Sequence, residues 1–356
     1  VTHDVPPTRG EDSAMPQPTG TAETAGPESS GVASGAGLTD TGAIRAAEAH
    51  AAREHTLGGV YAFTAYLLWG FMPLYFLVLA PTGPWEIVAW RVILSLVFCA
   101  LLLTVTRTWA RLWRILRNKR LVWWTVLAGG LIYVNWQVFL IATLTGHVIE
   151  TSLGYFINPL VTVLLGVLVL RERVTVTQWV ALGIAAIAVI VIVVGYGSFP
   201  WIALALAFSF GIYGLVKKQI GPSVDAVSGL TLESLWLTPI AIAQLVVVGL
   251  TTGVTMGQVS VAHTLLLLCA GAVTATPLLF FAAGARRAPL TVLGLMQFVA
   301  PVMQFITGAW LLGEPMPTER WIGFGLVWVA LIVLTVDSLR NARRARAAVS
   351  DVGAIT

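Results

Sequence analysis

The chain has 356 residues, of which 57% are hydrophobic and only 11% charged, with a net charge of +4. A soluble domain carries about 25% charged residues, so this composition excludes a water-soluble fold, and the placement of charge matters more than its sum. The two cysteines, Cys99 and Cys269, both sit in apolar stretches, which argues against a disulfide framework or a zinc cluster.

Residues 1–56 are rich in Pro, Gly, Ala, Ser, Thr and Glu, carry no apolar run, and read as a disordered tail. The initial Val suggests an alternative start codon, with Met15 as the other candidate start. Ten apolar spans follow, at 58–79, 85–106, 121–143, 149–170, 175–195, 199–216, 227–250, 261–284, 289–312 and 320–338. Crossing a hydrocarbon core takes roughly 20 apolar residues. Most connections are short, which leaves no room for a soluble catalytic domain. The expected fold class is therefore all-α, a polytopic membrane protein of about ten transmembrane helices, followed by a basic tail at 339–356.

Orientation follows from Lys and Arg, which concentrate in cytoplasmic loops. The loop after the second span holds Arg107, Arg111, Arg114, Arg117, Lys119 and Arg120 and no acid. The other loops on that side hold Arg171, Arg173, Lys217, Lys218, Arg286 and Arg287, and the C-terminal tail adds Arg340, Arg343, Arg344 and Arg346. With an even number of spans, both termini are expected in the cytoplasm of a multi-pass cell-membrane protein.

A shift of 142 residues aligns the chain with itself: Pro159 falls on Pro301, Gly166 on Gly308, Glu172 on Glu314, Trp179 on Trp321 and Gly183 on Gly325. One residue of slip brings Gly70 onto Gly211. The repeats are drawn at 57–197 and 198–338. Each holds five spans, and an odd number inverts the second copy in the membrane. Inverted repeats are a hallmark of secondary transporters, with the substrate held between the halves near the midplane.

Several motifs resemble the RarD-like permeases, EamA-type members of the drug/metabolite transporter superfamily. They are Tyr66 to Gly70, Trp90-Arg91, Asn135-Trp136, Glu150 to Leu160, Pro200-Trp201, Ser209 to Lys218, Thr274 to Pro277 and Gly294 to Pro301. The resemblance covers roughly residues 57–338. It implies ten helices, two EamA-type repeats and permease or export activity. Where the family pattern has an Arg-Lys pair, this chain has Lys217-Lys218, which keeps the charge.

The candidate substrate-binding residues start with Arg91, seven residues past Pro84 and so about 10 Å into the membrane. Intramembrane charge usually faces a cavity or a partner. Glu233 is its repeat equivalent, in the other half of the membrane by inversion. The expectation is that Arg91 binds an anionic group and Glu233 a cationic group or a proton, which suits a zwitterionic or amphiphilic substrate. Trp69, Trp136, Tyr155 and Tyr213 are candidate aromatic walls, and Asn135, Asn158, Gln297 and Gln304 candidate polar contacts. Pro159, Pro277 and Pro301, like Pro73 and Pro239, are expected to break helices and free carbonyls. Glu150 reads either as an acid at a helix N-terminus or as a cavity-mouth carboxylate, and Glu172 and Glu314 read as loop anchors.

No His-Glu-x-x-His pair and no Gly-x-Ser-x-Gly elbow occurs, so an enzyme is not expected. A channel or a membrane scaffold is the alternative to a carrier. No metal, no cofactor and no nucleic acid is called for. The expected partners are a small-molecule substrate and the lipid bilayer, with protons as candidate co-substrates and a homodimer left open.

Overall fold

The computed structural model describes residues 36–171, 175–196, 199–221, 223–285, 287–288, 292–293 and 296–353. The chain divides into two compact units, 1–50 and 51–356. Every regular element among the described residues is helical.

The first helix, α1, runs Ala36–Gly70. Residues 36–56 are thus helical, which corrects the expectation of a disordered tail for this part. The local sequence Ala46-Ala-Glu-Ala-His-Ala-Ala-Arg-Glu54 is made almost wholly of strong helix formers, and that propensity acts without an apolar face. Residues 1–35 lie outside the described residues.

A turn at Phe71 separates α1 from the short α2, Met72–Val78, which has Pro73 in its first turn. Then come α3 (Pro84–Val105), the surface helix α4 (Trp109–Leu116), α5 (Lys119–Leu144) and α6 (Val148–Leu170). They are followed by α7 (Val176–Tyr196), α8 (Trp201–Ile220), α9 (Ala226–Thr251), α10 (Val261–Leu268) and α11 (Ala270–Ala285). Last are α12 (Val299–Ile306), a π-helical turn at Thr307–Leu311, and α13 (Thr318–Gly353). Eight segments are long and apolar enough to cross a membrane, and shorter apolar helices at Trp201–Lys217 and Val299–Leu311 occupy the sixth and ninth expected positions.

Helices run unbroken through Pro159 in α6 and Pro277 in α11. This corrects the expectation of breaks there. A proline removes one backbone bond, and the turns on either side hold the helix. Pro301 is the third residue of α12, where its missing N–H has no intrahelical partner to lose. The breaks fall instead at Phe71 and between α10 and α11.

The packing pairs helices that the 142-residue offset relates. α3 packs on α9, α7 on α13 and α6 on α12. α8 inserts between α5 and α6, and α11 lies against α3. Small residues set these distances. A methyl group at Gly211 would lie 2.9 Å from Val161, and one at Gly70 would lie 2.6 Å from the Met303 sulfur. Gly70 and Gly211 are 141 positions apart, and Val161 and Met303 are 142 apart. The same close approach is therefore built once in each repeat, α8 on α6 and α1 on α12.

Gly271 is tighter still, since a methyl group there would meet the Leu94 carbonyl at 2.3 Å. Backbone cannot rotate away, so Gly271→Ala must push α11 off α3. Overpacking of this kind costs about 1–3 kcal/mol. At Gly130 an added methyl meets nothing within 4 Å, and Ala in a helix is favoured over Gly by about 0.5–1 kcal/mol. Thermal unfolding of the purified protein should show a lower midpoint for Gly271→Ala and an equal or higher one for Gly130→Ala. A Gly271→Ala midpoint at the wild-type value would contradict this packing.

Candidate substrate site

Pro84 and the extended Gly83 start α3, which sets the depth of the residues that follow. Arg91, two turns in, is 6% exposed. Its Nε donates to Thr274 Oγ1 at 2.8 Å, and the Thr274 hydroxyl donates to the Ala270 carbonyl one turn back. Its guanidinium carbon lies 4.1 Å from the centre of the Trp136 ring and 5.4 Å from that of Phe76. The ionisable side chains that face it are Tyr155 and Tyr75. Among the described residues, no carboxylate forms an ion pair with it.

Tyr155 donates its hydroxyl to Asn135 Oδ1 at 3.1 Å. Asn135 Nδ2 in turn donates to Leu206 O and Ser209 Oγ, at 3.2 and 3.0 Å. These bonds tie α5 and α6 to α8. Rings continue the contact: Phe139 to Tyr155 at 5.9 Å, Tyr155 to Phe210 at 6.0 Å and Phe210 to Tyr213 at 5.9 Å.

The chain of rings ends at Glu233. Tyr213 donates to its Oε2 at 3.1 Å, and Lys217 Nζ donates to its Oε1 at 2.7 Å. The carboxylate is 1% exposed and the lysine 29%. Tyr213 and Lys217 are one turn apart on α8, and Gly229 and Glu233 are one turn apart on α9. A methyl group at Gly229 would stand 2.8 Å from the ammonium, so glycine there makes room for the pair.

Arg91, Asn135, Trp136, Tyr155, Tyr213 and Glu233, six of the ten candidates, thus lie in one network of contacts. Glu233, expected as a cation or proton site, faces Lys217 in this structure. The pairing was missed because Lys217 reads as half of a basic loop pair, whereas α8 carries it to within reach of α9. Phe76, Thr274 and Gly229 were missed as well. One signal was present: Phe76 and Lys217 are 141 positions apart, while Arg91 and Glu233 are 142 apart. Each repeat therefore sets the same helix position against its buried charge.

The remaining candidates share no hydrogen bond with this network among the described residues, although Trp69 packs against the same apolar cluster as Trp136. Trp69 packs on Tyr66 and Phe281. Asn158 leaves its buried Oδ1 without a partner beside Gly211. Gln304 is buried near Thr151, whose hydroxyl points at it across 3.5 Å, and Ser152 donates to the Pro301 carbonyl at 2.8 Å. Gln297 is half-buried in the turn before α12.

Glu150 faces Arg320 at 3.4 Å, at the mouth of α6 and away from Arg91. Glu314 accepts the Val148 and Ile149 amides at 2.6 and 2.9 Å and so caps α6, the anchoring role expected of it. Burial pushes its carboxyl up from the ordinary range, against the pull of those two amides. Glu172 lies outside the described residues. Glu86, not singled out from sequence, is 2% exposed and holds the α9–α10 loop through the Thr255 and Met256 amides, while the Trp90 indole one turn on in α3 donates to the same carboxylate.

A cleft of about 440 Å³ lies between α2 and α12, lined by Phe71, Leu74, Met303, Ile306, Thr307 and Trp310, with Leu311 at its edge. α2 is the wall between this cleft and the charge site: Leu74 faces the cleft, and Phe76 lies over Arg91.

Residues 56–194 match the EamA-like transporter family. The chain is 46% identical to "Protein RarD" of Streptomyces exfoliatus over 297 residues, covering 83% of this chain and 94% of that one. It is 37% identical to "Protein RarD" of Escherichia coli (strain K12), over 82% of this chain and 98% of that one. An "Uncharacterized transporter" of Vibrio cholerae is 38% identical, over 82% and 96%. A solved crystal structure, 16% identical, shares the fold with a TM-score of 0.51 and covers 79% of this chain and 98% of its own.

Removing one member of a buried ion pair costs about 3–5 kcal/mol because the other charge is stranded, while replacing both by apolar groups is often neutral. The partial exposure of Lys217 puts this pair at or below the lower end of that range. Lys217→Met should therefore lower the unfolding midpoint clearly, and Lys217→Met combined with Glu233→Leu should recover most of the loss. Additive losses in the double variant would mean that the two residues do not act as a pair.

Proposed function

The chain belongs to the EamA-like transporter family, among its RarD-type members, and from that premise we propose a secondary transporter of small metabolites or drugs that works by alternating access. The two repeats, 57–197 and 198–338, rock against each other around the network from Arg91 to Glu233. The observation that carries this reading is the repeat-matched pair of latches. Phe76 on Arg91 joins α2 to α3, and Lys217 on Glu233 joins α8 to α9. Inversion puts them in opposite halves of the membrane, so each guards one end of a path through the bundle.

The Lys217 latch lies toward the basic loops, which the positive-inside rule assigns to the cytoplasm along with both termini. The Phe76 latch lies toward the other face. Release of one latch while the other holds opens the central network to one side at a time. Trp136, Tyr155 and Asn135 then contact the substrate in both states, and Arg91 provides the charged contact.

Two measurements test this. In a background lacking Cys99 and Cys269, Gln258→Cys should react with an impermeant thiol reagent applied to intact cells, and Arg114→Cys should react only after permeabilisation. The reverse pattern would overturn the orientation. In proteoliposomes screened with amino acids, nucleosides, amphenicols and arylalkanoate anions, uptake of a transported compound should saturate and accelerate when the vesicles are preloaded with it. Non-saturating flux without that acceleration would mean a channel, and no flux with any compound would favour a scaffold.

A further inference from the structure

Resting on that carrier reading, we infer that the substrate is an organic monoanion, a carboxylate on an apolar or aromatic body, and not a zwitterion or a cation. The inference comes from counting the buried charges. Glu233 is matched by Lys217 at 2.7 Å and has no charge left to offer a substrate. Glu86, the acid nearest to Arg91 in sequence, is in the first turn of α3, at the bundle end, and its carboxylate is taken up by two amides and an indole. Arg91 is deeper, is 6% exposed, and has no carboxylate partner among the described residues. Of these four charges, Arg91 is therefore the one held neither by an opposite charge nor by backbone amides.

An uncompensated cation out of water costs several kcal/mol. Aromatic faces return part of that, about 0.5–2 kcal/mol each, and Trp136 and Phe76 supply two. The facing tyrosines are neutral donors already engaged, Tyr155 to Asn135 and Tyr75 to the Leu266 carbonyl at 2.7 Å. A mobile anion supplies the rest.

The geometry also selects the kind of anion. A guanidinium has five N–H donors in one plane. Nε is spent on Thr274, and the rings cover its faces, so the Nη edge is what a ligand meets. That edge matches a carboxylate through two parallel bonds. One cation suits one negative charge, and a second charge on the ligand would be stranded. The surrounding groups, Phe76, Phe139, Tyr155 and Phe210, are rings, which suits an aryl or alkyl body. An ammonium group on the same ligand would meet no free carboxylate here.

A matched series tests the charge directly: 3-phenylpropionate (anion), phenylalanine (zwitterion), 2-phenylethylamine (cation) and 3-phenylpropanamide (neutral). Binding is read as thermal stabilisation of the full-length protein in detergent, which does not depend on transport. The anion should stabilise, and the other three should bind about tenfold more weakly or worse, as expected for loss of a charge-assisted contact. Arg91→Lys should weaken the anion by a similar factor, and Thr274→Val, which frees the guanidinium to turn, should weaken it less. Both variants are first shown to be monodisperse. Equal binding of phenylalanine, no binding of the anion, or undiminished anion binding in Arg91→Lys would overturn the inference. Each of those results leaves the carrier reading to be judged by counterflow alone.

Discussion

A charge buried in a bundle of apolar helices has to be answered by something, and this fold faces that demand at the same position of both repeats. At Glu233 the answer is internal: an ammonium at 2.7 Å, a tyrosine hydroxyl, and a glycine that lets α8 and α9 come close enough for both. At Arg91 the answer is partial: two ring faces and one hydroxyl. The rest of the central architecture follows from these two solutions. α3 and α9 carry the charges and pack on each other, while the repeat-equivalent positions on α2 and α8 carry the groups set against them.

The helices and the repeat were legible in the sequence because both leave strong local marks. Apolar runs report spans, and Pro, Trp and Glu matches at one fixed offset are hard to obtain by chance in a chain this rich in Gly, Ala, Val and Leu. The members of the site were legible for a similar reason: polar and aromatic residues are conspicuous inside such spans. Their pairing was not legible. Lys217 sits beside Lys218 at a helix end, where composition alone says loop, and only the packing of α8 between its neighbours brings it to Glu233. Glu86 was hidden the same way, since an acid in a first turn is ordinary and its real partners are amides about 170 positions away. Prolines misled for the opposite reason. They mark lost backbone bonds, but neighbouring turns kept α6 and α11 whole.

α8 touches both ends of the network. Ser209 takes the Asn135 amide, Phe210 meets Tyr155 edge to face, and Tyr213 and Lys217, one and two turns on, hold Glu233. These residues follow at roughly one-turn spacing, so they share a stripe of the helix. A ligand that draws Arg91 or Tyr155 into a new position acts on α8 through Asn135 and Phe210, and α8 is the helix that carries the Lys217 latch. Coupling of this kind needs no long-range path. It needs one rigid element whose two contacts favour different positions, so that a ligand with different affinity for those positions shifts the balance.

On the alternating-access reading proposed above, the two latches are unequal, and the inequality sets the resting state. A cation–π contact contributes about 0.5–2 kcal/mol, whereas stranding one member of a buried ion pair costs about 3–5 kcal/mol, with the half-buried Lys217 at or below the lower end of that range. With the central site empty, the Phe76 end is therefore the easier one to open. The cleft beside α2 lies at that end, and the mirrored contact of α8 with α6 is closed from Gly154, against Ala203, to Gly211, against Val161. An anion bound at Arg91 changes the balance. It competes with the ring faces for the guanidinium and brings the negative charge that the site lacks. With an anion on its guanidinium, Arg91 and the ligand together form a neutral pair. Neutrality lowers the cost of moving the occupied site through the low-dielectric middle of the bundle, and the empty site, still charged, moves less readily. On the proposed reading, a carrier built this way is predisposed to move its network when loaded, with the charge of the substrate as the signal that it is.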